Sequence, residues 1–180
     1  MDDDIRSRRP GPGEYAEPYA GYVGEVPEGP ILVGLEEEGA RSLSFYGALD
    51  DARTRQRYAP GKWTVREVLA HVTDSERVFA YRALRIARGD ATPLAGFDQE
   101  VWMRHLDADE RSFPEMVEEW SHVRAATLLL FRGFQAKAWE RRGVASGFEV
   151  SVRALAWIAT GHELHHRRIL VERYGLSPTG

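Results

Sequence analysis

The chain contains six histidines, and three of them fall within five residues, His162-Glu163-Leu164-His165-His166. The run satisfies H-E-x-x-H, in which two imidazoles one helical turn apart hold zinc and the glutamate serves as base in a metalloprotease. On a helix, residues i and i+4 stand one above the other with Cβ atoms about 5–6 Å apart. His162 and His166 can therefore offer two nitrogens to one ion, whereas His165 projects from a different side of the helix.

The third ligand separates a protease from other two-histidine sites. Proteases with this motif take it from downstream, as a glutamate or a further histidine. After His166 the one carboxylate is Glu172, standing where the extended motif has histidine, and Ile169 replaces its glycine. No strand is evident whose edge would hold an extended peptide. The third ligand is expected upstream, at His71, which lies mid-helix beside Val68 and Val72. Three histidines leave coordination positions open for water or substrate, the layout of a catalytic site rather than a closed structural one. His105 and His122 lack partner spacing and read as surface residues. Asp74, Glu76 and Asp98 are candidates to orient a ligand histidine, although a solvated helix face, and an N-cap at Asp98, are the expected roles. There are no cysteines, which removes disulfides, thiolate ligands and a protein-borne sulfur nucleophile together.

The elements that must position these residues read as helices. One starts at Pro30, with Ile31, Leu32, Leu35, Leu43, Phe45, Tyr46 and Leu49 as its apolar positions, and ends before Pro60-Gly61. Thr64-Val-Arg-Glu67 is a capping box, opening a helix to about Arg88 that Gly89 stops; Val65, Val68, Leu69, Val72 and Phe79 form its stripe. A loop with Pro93 and Gly96 leads to a short helical piece, "FDQEVWMRHL". Ser112-Phe-Pro-Glu115 is a second capping box, ahead of Met116, Val117, Trp120, Val123, Leu128, Phe131 and Phe134. Ser151 caps a last helix ending at Gly175, on which Leu155, Ile158, Ala159, His162, His166 and Ile169 share a face. With four long helices and no convincing strands, the expected fold is all-α, a four-helix bundle with a short extra helix in a long cross-over. Residues 1–18, rich in Pro, Gly and charge, read as a flexible N-terminal arm, and 19–180 as the bundle domain.

Composition narrows the function classes. The chain has 180 residues, 43% hydrophobic, with a net charge of −4; this suits one globular domain. The arginine pairs are scattered among carboxylates, so the clustered basic face of a nucleic-acid binder is absent. No apolar run approaches the ~18 residues of a membrane span, and "MDDDIRSRRPGPGEY" has no apolar leader segment. A cytoplasmic location is the expectation. The five tryptophans read as core or dimer packing.

The segment "YAPGKWTVREVLAHVTDSERVFAYRALRIARGDATPLAGFDQ", followed by "ATGHELHHRRIL", resembles the DinB-like superfamily, over nearly the whole chain. The resemblance implies a four-helix bundle of up-down-down-up topology and a homodimer. It implies a divalent metal ion (Zn, Ni, Fe or Mn) held by one histidine of the second long helix and two of the last; the matching positions are His71, His162 and His166, with Glu163 and His165 outside the ligand set. It further implies a metal-dependent enzyme that transfers a low-molecular-weight thiol to a small electrophilic substrate, or that uses the metal for hydrolysis. The alternative is a non-catalytic metal- or ligand-binding stress-response module.

Overall fold

The computed structural model describes residues 5–177. Their helices are α1 (Ala20–Glu25), α2 (Ile31–Gly47), α3 (Asp51–Thr54), α4 (Val65–Ala87), α5 (Gln99–Arg104), α6 (Phe113–Arg132), α7 (Ala136–Trp139) and α8 (Val152–Tyr174); a hairpin of β1 (Arg142–Ala145) and β2 (Phe148–Ser151) precedes α8. The caps explain where the long helices start and stop. Thr64 Oγ1 accepts the Glu67 N–H at 3.1 Å, and the Glu67 carboxylate accepts the Thr64 N–H at 2.6 Å, satisfying two otherwise orphaned donors. Ser112 and Ser151 accept the N–H groups of Glu115 and Ala154. Gly89 and Gly175 take the positive φ that ends α4 and α8. The helix expected from Pro30 to Pro60 is instead split: Asp50 accepts the Arg53 N–H at 2.8 Å and starts α3 separately.

The four long helices are α2, α4, α6 and α8. α2 and α4 each pack on both α6 and α8, so they occupy one diagonal of the bundle. Directions follow from side-chain contacts. Arg66 bonds the Arg111 carbonyl and Arg124 bonds Glu76, so α4 and α6 run parallel. Tyr46 meets Trp120 and Arg132 meets Glu36, so α2 opposes α6; His71 meets His166 and Phe79 meets His162, so α4 opposes α8. This is the up-down-down-up arrangement. Because α4 and α6 are parallel, the cross-over 88–112 must travel the length of a 20-residue helix, about 30 Å, and α5 lies on that path.

A polar layer divides the core. One apolar cluster holds Leu35, Phe79, Leu128 and Ala159; the other holds Phe45, Val72, Trp120 and Leu170. On each long helix the residues between these positions are polar and inward: Glu38 and Ser42, Glu76, Arg124, and Glu163 with Arg167. Arg124 grips Glu76 through Nε and Nη2, each at 2.8 Å, and donates from Nη1 to the Leu35 carbonyl. Ser42 donates to Glu163 and accepts from Arg167 Nη1 at 2.6 Å, while Arg167 also pairs with Glu38. Leu43, expected in the stripe of α2, is exposed for this reason: Glu38 and Ser42 take the inner positions.

One further sequence expectation needs correction. The segment before α8 is not merely a helix break: Ser146 and Gly147 both adopt positive φ, 54° and 82°, and Ala145 pairs with Phe148. This is the two-residue hairpin geometry whose twist matches paired strands. Its four-residue strands are too short to show a period of two. The N-terminal segment from Ile5 onward makes contacts with the bundle (residues 1–4 lie outside the described residues). Arg9 donates to the carbonyls of Val23 and Val26 and lies 4.8 Å over the Trp157 ring. Glu14 accepts from Ser151 and Arg153. A charged, Pro/Gly-rich stretch looks solvated until such distant partners are known.

Gly161 sets the position of α1. A Cβ built there would fall inside the carbonyl group of Tyr22, so only glycine lets the two backbones touch. Gly161→Ala gains helix propensity but must lift α1; we expect a net loss of ~1–3 kcal/mol, read as a lower melting temperature. A variant melting at or above wild type would contradict the close crossing. For Glu14, burial raises the carboxyl pKa, but hydrogen bonds from Arg153, the Gly11 N–H and Ser151 outweigh it and leave it below 4.5. A lowered folded pKa adds stability above the unfolded value and loses it as pH falls through the folded one. The melting-temperature gap between wild type and Glu14→Gln should therefore be widest near neutrality and narrow as the pH drops below 4.5; a gap independent of pH would refute a stabilising role for the Glu14 carboxylate.

Candidate metal centre

The sequence places His71 about two turns into α4 and His162 and His166 in the middle of α8. Because the two helices are antiparallel, those levels coincide. His71 Nε2 and His162 Nε2 lie 3.1 Å apart. One nitrogen from each of His71, His162 and His166 falls within 4.8 Å of the others, and the ring centroids are 4.5–4.9 Å apart. Ligand nitrogens on one tetrahedral ion sit about 3.3 Å apart, given bonds of about 2.0–2.1 Å, so the donor set fits a single divalent cation.

The surroundings keep these imidazoles neutral. Burial pushes His71 down to about 4. Burial, and then the neighbouring imidazoles, hold His162 and His166 well below 6.5. Neutral imidazole is the form that ligates metal. The burial is largely aromatic. Trp63 lies 4.9 Å from the His71 ring, while Tyr22 and Phe79 lie edge-on to His162 at 5.2 and 5.6 Å. Trp63 is held by the far end of α8, where Tyr174 donates to its carbonyl at 2.7 Å. His166 opens onto a cleft of about 310 Å³ lined also by Tyr58, Lys62, Trp63, Glu100 and Tyr174.

The other candidates lie elsewhere. His165 sits at the edge, with Nδ1 3.2 Å from Glu25 and its ring 5.1 Å from Tyr22. Glu163, expected outside the ligand set, is fully buried in the polar layer. Burial raises its carboxyl pKa against the pull of Arg124 and Arg167, and its bonded oxygen faces Ser42 on α2, not the histidines. Asp74 pairs with Arg77 and Glu76 with Arg124, while Asp98 caps α5 by accepting from Glu100 and Val101. Among the described residues none of these three bonds a histidine of the triad. His105 and His122 are exposed. Sequence reasoning missed Tyr22, Lys62, Glu100 and Tyr174, for which the chain carries no local signal. Trp63 had one: an apolar residue just before an N-cap commonly folds back onto its helix.

A sequence profile of the DinB superfamily matches residues 35–170. A protein of Oceanobacillus iheyensis named "Putative metal-dependent hydrolase OB0413" is 32% identical over 63 residues, 34% of this chain and 36% of its own length. The chain thus matches only about a third of that relative. Among solved structures, YfiT from Bacillus subtilis, described as a probable metal-dependent hydrolase with an unusual four-helix bundle topology, aligns with a TM-score of 0.71. At 19% identity, over 82% of this chain and 87% of that one, the likeness is one of fold. The profile match takes in all three clustered histidines and parts of all four long helices, and on it the chain belongs to the DinB superfamily.

Proposed function

We propose that His71, His162 and His166 hold one divalent ion and that the chain is a metal-dependent enzyme acting on a small molecule in the Trp63 cleft. The observation that carries this is the convergence of three neutral imidazole nitrogens at the floor of a cleft that only His166 reaches. A divalent ion there supplies Lewis-acid chemistry, polarising a carbonyl and lowering the pKa of water or of a thiol. The chain's own residues divide the remaining work. His71 and His162, sealed behind Trp63, Tyr22 and Phe79, fix the donor geometry and exclude water from one side. Lys62 and Glu100 at the cleft wall are placed to bind the polar groups of a substrate. Glu163 is not assigned as base: its Oε1 accepts from Ser42 on α2, and neither of its oxygens bonds a histidine of the triad among the described residues.

Hydrolysis is the first reading, supported by the naming of the relatives. Thiol transfer is the second, favoured by the absence of cysteine: a sulfur nucleophile must arrive with a cosubstrate, and the cleft has room for one. We expect one divalent ion per chain by elemental analysis, its loss in the His162→Ala/His166→Ala variant, and its retention in His165→Ala. Stoichiometric metal in the double variant would sink the ligand assignment.

The chemistry is tested by offering ester and amide substrates, and separately a reactive electrophile with a panel of small thiols, to metal-loaded protein. Turnover without thiol marks a hydrolase, and turnover only with thiol marks a transferase; none in either assay overturns the enzymatic reading. Glu163→Gln should keep its metal and nearly all its activity, rather than showing the ~10²–10⁴-fold loss that follows removal of a general base.

A further inference from the structure

Four arginines are buried among the described residues: Arg66, Arg82, Arg124 and Arg153. Three of them carry a carboxylate partner, Asp51, Glu76 and Glu14 respectively. Arg82 is 3% exposed and has none among the described residues. Its Nη2 donates to the Ala95 carbonyl at 2.9 Å and to Ser146 Oγ at 2.8 Å, which leaves the donors on Nε and Nη1 without an acceptor. A largely buried guanidinium without a counter-charge is costly, and the other three each have a carboxylate; the free Arg82 donors are not among the fully sealed, unpartnered atoms, so they remain accessible.

Arg82 lines a cleft of about 350 Å³ between α4 and the cross-over, with Tyr81, Arg85, Pro93, Phe97 and Trp102. The cleft is built, not incidental. Leu94 donates to Val144 at 2.8 Å and accepts from Ser146 at 3.0 Å, pinning the cross-over to the hairpin. Ser146 holds a left-handed φ that non-glycine residues rarely adopt, and its hydroxyl accepts from Arg82. Phe97 stacks on Trp102 at 4.5 Å and 25°, the Arg82 guanidinium lies 6.0 Å over the Phe97 ring, and Trp102 remains 41% exposed. Arg85 is already engaged by Asp90 and Tyr81.

We propose that this cleft binds a small planar monocarboxylate, whose anionic end meets the free donors of Arg82 and whose unsaturated body lies against the exposed Trp102 ring of the stack. A single guanidinium without a carboxylate partner favours a monoanion over a dianion, and the exposed Trp102 ring of the stack favours an unsaturated body over a saturated one. The site is separate from the histidine triad and does not depend on a metal.

Benzoate is the probe, with acetate and inorganic phosphate for comparison, titrated into the full chain by calorimetry and by NMR of the tryptophan indole N–H groups. We expect saturable binding of one benzoate per chain, a shifted Trp102 indole resonance, and weaker binding of acetate and phosphate. Arg82→Gln should weaken benzoate at least ~10-fold, and the His162→Ala/His166→Ala variant should bind it as wild type does. No saturation, binding undiminished in folded Arg82→Gln, binding lost in the double histidine variant, or preference for phosphate would each overturn the proposal. If Arg82→Gln does not fold, Trp102→Ala decides: this exposed change should weaken benzoate by ~2–10-fold, and unchanged affinity would refute the site.

Discussion

The rotation of α8 about its own axis is the constraint on which the rest of the molecule depends. Successive residues of a helix point about 100° apart, so one turn of α8 addresses three neighbours at once. His162 and His166 face α4, Glu163 and Arg167 face α2, and His165 faces α1. Each stripe finds a partner only at this rotation. Turning α8 by one residue would leave Glu163 and Arg167 without Ser42 and Glu38, in a core where an unpaired charge costs several kcal/mol. The buried polar layer therefore aims the histidines without touching them.

Packing and chemistry meet again in the wall around the triad. The same aromatic rings that fill space beside α4 and α8 withdraw the imidazoles from water and so keep them unprotonated. α1 contributes to that wall because Gly161, the residue before His162, lets its backbone approach. A six-residue helix with one buried apolar side chain has little to hold it in place by itself; contact with α8 and the Glu25 bonds to His165 and Arg168 do so.

What was legible in the sequence was what local chemistry decides. The Thr64–Glu67 box, Gly89, Ser151 and Gly175 mark helix ends through contacts a few residues long, and the structure keeps all of them. The pair His162 and His166 was legible for the same reason, and His71 through its place in a helix stripe. The burial of Glu163 was not legible, because its partner Ser42 lies 121 residues away and this stretch of α8 has neighbours on three sides. The inward roles of Glu38 and Ser42 were invisible for a related reason, since each needs a partner more than a hundred residues away. The hairpin gave only a Ser-Gly pair, too brief a signal against a mainly helical background.

The distances along the chain between paired groups carry a further consequence. Ser42 waits for Glu163 across 121 residues, and Glu14 waits for Arg153 across 139. On the ribosome α8 is made after every other helix described. Until it emerges, Ser42 and Glu14 lack these α8 partners, and His71 faces an open groove. Contacts of such separation slow folding, because loop-closure entropy must be met before they form. A nascent chain lacking α8 therefore exposes three amphipathic helices, a state prone to association, and completion of the bundle coincides with assembly of the histidine cluster.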